Sequence, residues 1–385
     1  MATPQSDLDF NGLKVSQPGL PAAYYFDPAR YQLEMQRIWQ RHWVYVGRAQ
    51  EVELPRSFKT FELGDQKILL VRDQAGALRG FHNTCRHRGA LLCAQEAGTL
   101  RGNAITCAYH GWSYGLDGAL RRTTSLSVAA GFDPRDYPLY QVNVREWRGF
   151  VFVSLAAQPP PFAAGFDVPL GRMDGWPLET LRTGHVATQV MRCNWKVFWE
   201  NYNECLHCPG VHPSLSRMVP IYGRAIMEPR EDPHWREHAG DDDPKYRGGM
   251  RRGAKTWTRS GELIGKPFAT LSEEDRRAAY VYLTGLPSMF IVGHPDYVRV
   301  VRLRPLAPES TELRIEYLFT AETLADPAFD LDQVTGFAGE VLAEDAAVCE
   351  LNQAGLHALA HLEGVLMPEE YLLHQFHDWV RAETG

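Results

Sequence analysis

Cys85-x-His87 and Cys107-x-x-His110, separated by nineteen residues, set two thiols and two imidazoles in a mixed order. Structural zinc sites usually open with a pair of cysteines and close with paired histidines. Here each half contributes one thiolate and one imidazole, so two such loops put both thiolates on one metal and both imidazoles on another. That is the ligand order of a Rieske [2Fe–2S] centre. Neutral imidazoles there raise the potential to roughly −150 to +300 mV, against about −400 mV for all-cysteine plant-type clusters. Four-coordinate zinc is the alternative, and the ligand order favours the cluster. Gly89 and Gly111 stand where tight loops must close, and Tyr109, Trp112 and Tyr114 are placed to form a shell around the metals. Cys93 has no histidine at matching spacing and reads as a packed cysteine.

A second set lies in NWKVFWENYNECLHCPGVHPSL, Asn194 to Leu215. Glu204 and His207 are three apart and share a face if the segment is helical. Pro209 ends or kinks that helix and Gly210 adds a flexible point, so His212 turns back beside His207. Two imidazoles at a helix break fit a metal site, with a paired structural role as the alternative. Cys205 projects about 160° from His207 on such a helix, and both it and Cys208 are left out of the ligand set. An open non-haem iron site needs a carboxylate beside two histidines. Asp345 falls within an apolar stripe of Val334, Val341, Leu342, Val348, Cys349, Asn352 and Leu356, whereas Glu344 lies about 100° to one side. A carboxylate in a buried stripe must be paired, metal-bound or protonated, so a salt bridge is the alternative for Asp345.

The elements that must position these residues follow from periodicity. A helix is expected over residues 28–42, capped by Asp27 with Pro28 in its first turn. The pattern then changes to period two, with a hairpin at Ala75-Gly76, and short strands run to Trp147–Leu155. Residues 43–155 therefore read as a small all-β domain. AAQPPPFAAGF, from Ala156 to Phe166, reads as a semi-rigid linker. Beyond it, Asn194–His207 is helical in character, two strands join through His294-Pro295-Asp296, STELRIEYLF adds another, and Asp332 to about His361 forms a long amphipathic helix. Strands followed by a long helix give an α+β second domain.

The bulk composition limits the function. The chain has 385 residues, 44% hydrophobic and 23% charged, which favours two domains over one core. A net charge of −7 argues against a nucleic-acid partner. The stretch MATPQSDLDFNG has neither a basic n-region nor an apolar h-region, so no signal peptide is expected, and no membrane span is expected either. Seven cysteines clustered with histidines favour metal ligation over disulfides in the cytoplasm, the expected compartment.

CRHRG and CAYHGWSYGLDG closely resemble the two signatures of the Rieske-type non-haem iron oxygenases, the ring-hydroxylating alpha-subunit family. NWK…ENYNECLHC…VHP followed by Glu344-Asp345 and Gln353-x-Gly355 is similar to the catalytic domain of that family. The resemblance runs from about Tyr31 to Trp379 and is weak between residues 216 and 280. It implies an all-β Rieske domain over 43–155. It also implies an antiparallel-sheet helix-grip (START-like) catalytic domain built from 1–42 and 156–385. It further implies that Cys85, His87, Cys107 and His110 hold the cluster, and that His207, His212 and Asp345 hold mononuclear Fe(II). Glu204 would then connect His207 to a cluster histidine, His110, of a neighbouring chain in a homotrimer; its alternative is an ordinary surface acid. Glutamate at this position, within ECLHCPGVHPSL, is closest to the choline, carnitine and glycine-betaine branch.

Electrons would come from NAD(P)H through a separate flavin reductase, since the chain has no nucleotide-binding glycine fingerprint; the sequence leaves open an intervening ferredoxin. O2 is the co-substrate. The first functional reading is hydroxylation and N-demethylation of an N-methyl or quaternary-ammonium compound. Trp257, Tyr280, Tyr282 and Phe290 would serve as a cation–π pocket, each with core packing as its alternative. The second is aromatic ring hydroxylation. A Rieske electron carrier without an oxygenase centre and a zinc-binding interaction protein complete the set.

Overall fold

A computed structural model describes residues 10–127 and 129–385. Met1–Asp9, part of the stretch in which no signal peptide is expected, lies outside the described residues. The chain divides into two compact units. One comprises residues 35–165 with Leu286–Ser288, and the other takes the chain through Glu34, Phe166–Gly285 and Met289–Gly385.

The first unit is built from antiparallel strands. Among the described residues, seven form one sheet in the order Val44–Arg48, Phe150–Ser154, Gln141–Trp147, Leu78–His82, Gln66–Arg72, Ser57–Leu63, Ala97–Thr99. Ala104–Thr106, Ser113–Gly115 and Leu120–Arg122 form a smaller sheet. The Ala75-Gly76 hairpin forms between Arg72 and Leu78, with Gly76 at φ +83°. Phe58, Leu69, Phe81, Ile105 and Tyr114 pack with Cys85 and Cys107 in one core cluster. Burial of each large side chain contributes about 1.5–3 kcal/mol. The proline-rich stretch is not a free linker. Trp43 Nε1 donates to the Pro160 carbonyl, and Phe162 is buried edge-on against Phe152. An aromatic ring beside the prolines found apolar surface to cover, which composition alone does not reveal.

The second unit is α+β. Its five-stranded antiparallel sheet runs Arg182–Met191, Ser310–Phe319, Val298–Ala307, Met289–Gly293, Val281–Gly285, and the helix Asp332–Gly355 packs with it. That helix stops at Gly355 rather than near His361. Asn194 caps the helix Trp195–Tyr202 by accepting from the Lys196 N–H, and its own N–H donates to Gln353 Oε1 on the long helix. Lys196 forms a fully buried ion pair with Glu34 at 2.6 Å, and Trp195 Nε1 donates to the same carboxylate. Burial disfavours the charged ammonium and lowers its pKa, with Glu34 opposing that shift. The NWK motif and Gln353 thus lock helices together rather than touch a metal. Gln17–Pro21 pairs antiparallel with Glu363–Leu366. No helix among the described residues is long and apolar enough to cross a membrane.

Candidate functional site

The two cysteine–histidine loops of the first unit share a backbone plan. The Cys85 N–H donates to the Ala90 carbonyl and the Gly89 N–H to Cys85; the Cys107 N–H donates to Trp112 and the Gly111 N–H to Cys107. Each loop is therefore six residues closed by the same two hydrogen bonds. Gly89 and Gly111 take φ of +77° and +68°, where a side chain is disfavoured, and a Cβ on Gly111 would meet Thr124 at 2.9 Å. Cys85 and Cys107 are 3% and 2% exposed, while His87 is exposed and His110 half-buried. The imidazole rings lie 4.7 Å apart between centroids. His87 stacks flat on Trp112 and His110 lies against Tyr109. The Tyr114 hydroxyl sits 3.3 Å from Cys85 Sγ. Inner thiols and outer imidazoles fit a two-iron cluster with a sulfur-bound iron inside and an imidazole-bound iron outside. Cys93 is buried and burial pushes its thiol up to about 11, as befits a packed cysteine.

In the second unit the helix from Asn194 ends at Tyr202, five residues before His207. Asn203 takes the C-cap, so Glu204–His207 is a turn, and Pro209 opens the next helical turn, Cys208–Val211, instead of ending the first. This overturns the helical projection of Cys205. The chain doubles back there, brings the Cys205 and Cys208 Cα atoms to 5.0 Å, and joins them as a disulfide. Disulfides were not expected from the cysteine pattern. Cys85, Cys93, Cys107, Cys193 and Cys349 are free.

The turn brings His207 and His212 together, and the long helix adds Asp345. One donor atom from each lies within 4.8 Å of the others. Asp345 Oδ1 is 2.9 Å from His212 Nε2 and 3.6 Å from His207 Nε2. Carboxylates hold the opposite ring nitrogens: Glu204 at His207 Nδ1, and Glu344 at His212 Nδ1 at 2.8 Å. Such outer carboxylates fix each tautomer and aim Nε2 inward, as a two-histidine, one-carboxylate iron site requires. Burial opposes a charged His207, but Asp345 and Glu204 outweigh it and hold its pKa up to about 9. Burial likewise pushes Asp345 upward, and its bonds to both histidines outweigh this and keep it low. Periodicity set Glu344 aside because it projects off the apolar stripe. Its reach to His212 is visible only once the turn is placed. Asn201 was also missed; its Nδ2 lies 3.3 Å from His207 Nε2.

These groups open into a cavity of about 340 Å³. Trp257, Tyr280, Tyr282 and Phe290 all line it, joined by Tyr202 and Tyr222. Burial raises the pKa of the four tyrosine hydroxyls, so the rings are neutral.

Residues 42–133 match the Rieske [2Fe-2S] domain, and residues 176–385 match the ring hydroxylating alpha subunit (catalytic domain). The chain is 29% identical to the glycine betaine monooxygenase oxygenase subunit of Chromohalobacter salexigens, over 94% of this chain and 84% of that one. It is 26% identical to the chloroplastic choline monooxygenase of Beta vulgaris, over 94% and 76%. A solved quaternary ammonium Rieske monooxygenase, reported with insights into carnitine oxidation by gut microbiota and inter-subunit electron transfer, aligns at 20% identity and a TM-score of 0.72, covering 96% of each chain. Naphthalene 1,2-dioxygenase from Rhodococcus sp. shares the fold at 19% identity and a TM-score of 0.67, over 95% and 94%. The catalytic-domain match argues against a bare electron carrier or a zinc protein. Paired thiol–imidazole loops in one unit and a carboxylate-braced histidine pair in the other are accounted for together: the chain belongs to the ring hydroxylating alpha subunit family, the Rieske oxygenase components that carry a [2Fe–2S] cluster and non-haem iron and draw electrons from a reductase.

Proposed function

We propose that this oxygenase hydroxylates an N-methyl group of a quaternary-ammonium compound and releases it as formaldehyde. The observation that carries this is the aromatic cavity around His207, His212 and Asp345. Neutral ring faces attract an ammonium that cannot donate hydrogen bonds, and the glycine betaine and choline monooxygenase relatives support the reading. Cys85, His87, Cys107 and His110 would hold the cluster, and His207, His212 and Asp345 the ferrous iron. Bound there, the metals supply two electrons for the reduction of O2. In balance, one N-methyl group of the quaternary ammonium, O2, two electrons and two protons give an N-hydroxymethyl group and water. The hydroxymethyl ammonium then breaks its N–C bond, leaving the tertiary amine with the electron pair and releasing formaldehyde and a proton. The chain's own part is to seat the cation on the rings and to hold His207 and His212 at fixed tautomers through Glu204 and Glu344.

Glu204 also serves as the electron bridge from His110 of the partner subunit in a head-to-tail cyclic trimer, a closed ring of heterologous contacts. The electron donor is an NAD(P)H-dependent flavin reductase, directly or through a ferredoxin, and the enzyme works in the cytoplasm. Reductase-coupled oxygen uptake over N-methylated and aromatic compounds tests the reaction. Formaldehyde in step with oxygen consumption is the expected result; a phenol or diol without formaldehyde would instead establish ring hydroxylation. Glu204→Gln should keep both metals yet slow cluster-to-iron electron transfer at least tenfold, whereas a monomer in sedimentation equilibrium would remove the bridge.

A further inference from the structure

Arg299 lies on the central strand Val298–Ala307 of the five-stranded sheet, in register with Val292 on one side and Tyr317 on the other. Val292 in turn opposes Tyr282. Cross-strand partners share a face, so Arg299 stands in the row that presents Tyr282 to the cavity, and it lines that cavity itself. It is 7% exposed, and its guanidinium carbon lies 5.8 Å from the Trp257 ring centre. Its Nε is sealed from solvent with no hydrogen-bond partner. Among the described residues no carboxylate comes within ion-pair distance of it. Arg302 and Arg304, on the same strand, both pair with Glu312. The carboxylates lining the cavity are engaged elsewhere. Asp167 accepts from the Thr284 N–H, Glu228 from Asn11 and Tyr371, and Glu231 from the Met227 N–H. Glu204 and Asp345 hold the histidines.

A guanidinium does not shed its proton, and burying it unpaired is costly. In this place it also repels the cation that the aromatic rings would attract. Both difficulties end if the ligand brings an anion. The planar fork of Arg299 matches a carboxylate in two parallel hydrogen bonds. We infer that Arg299 receives a carboxylate of the substrate, so that, given the N-methyl reading above, the substrate is a zwitterion: a quaternary ammonium on the aromatic faces and a carboxylate on Arg299. An amino alcohol lacking that carboxylate leaves the arginine buried and unpaired.

The test uses the metal-loaded enzyme and matched pairs of trimethylammonium compounds that differ only in carboxylate versus hydroxymethyl, beginning with glycine betaine and choline and lengthening the spacer. Calorimetric Kd values should favour the best carboxylate over its alcohol on the order of 30-fold or more. In Arg299→Gln that preference should vanish with alcohol binding kept or improved, and Arg299→Lys should restore part of it. Equal wild-type affinity for both members of every pair overturns the assignment without any variant, and so does an Arg299→Gln protein that still discriminates. Formaldehyde separates this inference from the proposed reaction. If aromatic carboxylates bind through Arg299 and are hydroxylated without formaldehyde, Arg299 stands and demethylation falls. If alcohols and carboxylates are bound and demethylated alike, demethylation stands and the role of Arg299 falls.

Discussion

His87 and His110 on one unit, and His207 and His212 on the other, are held by different means. The first two rest on aromatic rings, Trp112 and Tyr109. The second two are gripped at Nδ1 by carboxylates, Glu204 and Glu344. Among the described residues, no carboxylate lies within ion-pair distance of His87 or His110. The difference follows the chemistry proposed for each site. A carboxylate on the far nitrogen makes an imidazole a more basic ligand, which suits a ferrous ion held by only three protein groups. Within one chain no such carboxylate adds negative charge beside the cluster, whose raised potential depends on neutral histidines; the one proposed to reach His110 comes from a neighbouring subunit. Stacking on tryptophan orients a ring without adding charge.

The most severe way to break this comparison is Asp345→Ala. Turnover should fall roughly a thousandfold or more, about 4 kcal/mol of transition-state stabilisation. Mononuclear iron should be lost while the Rieske EPR signal of the reduced protein persists; iron retained at full occupancy would exclude Asp345 as a ligand. Next in size is Glu231, a buried carboxylate of the cavity wall whose bond is to a backbone N–H rather than an imidazole. Burial pushes its carboxyl from 4.5 up to about 7, against the Met227 N–H. Its folded value lies above its unfolded one, so stability is full below pH 4.5, falls as pH rises toward 7, and levels off above. Glu231→Gln should then stabilise the protein by up to about 3 kcal/mol at pH 8 and by almost nothing at pH 4. Urea unfolding at the two pH values measures this, and equal effects would show that the carboxyl titrates normally.

Glu344→Gln removes the charge behind His212 but keeps an acceptor. Ferrous affinity should fall 10- to 100-fold, about 1.4–2.7 kcal/mol, with the cluster spectrum unchanged. Iron titration of the metal-depleted site reads it, and unaltered affinity would make the carboxylate grip incidental. The smallest effect is expected at Trp112→Leu, which takes the stacked ring from His87. The unfolding free energy should drop by about 1 kcal/mol with no change in mononuclear iron. Loss of iron from the second unit would contradict the separation of the two sites.

Spacing made much of this legible. Cys85-x-His87 and Cys107-x-x-His110 stand on loops whose closing glycines are visible in the sequence, and Asp345 stands in a recognisable apolar stripe. Local pattern failed where the backbone turns without a strong marker. The helix ends at Asn203 with no glycine or proline in WENYNEC to mark it, so the periodicity runs on to His207 and hides the Cys205–Cys208 pairing. A helical projection ranks burial and ignores reach, so it passes over Glu344, which meets His212 Nδ1. Arg299 looks like any arginine in an alternating strand. Only the register, set by partners seven and eighteen residues away in Val292 and Tyr317, turns it toward the cavity.

The pairing of Gln17–Pro21 with Glu363–Leu366 has a consequence for biosynthesis. The register partner of Gln17 is Leu366, so the first strand leaves the ribosome roughly 20–70 s before its mate at 5–20 residues per second. The unit formed by residues 35–165 has nearly all its strands within that interval and is free to fold meanwhile. The waiting strand reads QPGLP. Pro18 and Pro21 lack the N–H groups that a stray strand would need, and Gly19 offers no side chain to pack, so the edge is guarded against misassembly until Glu363–Leu366 arrives.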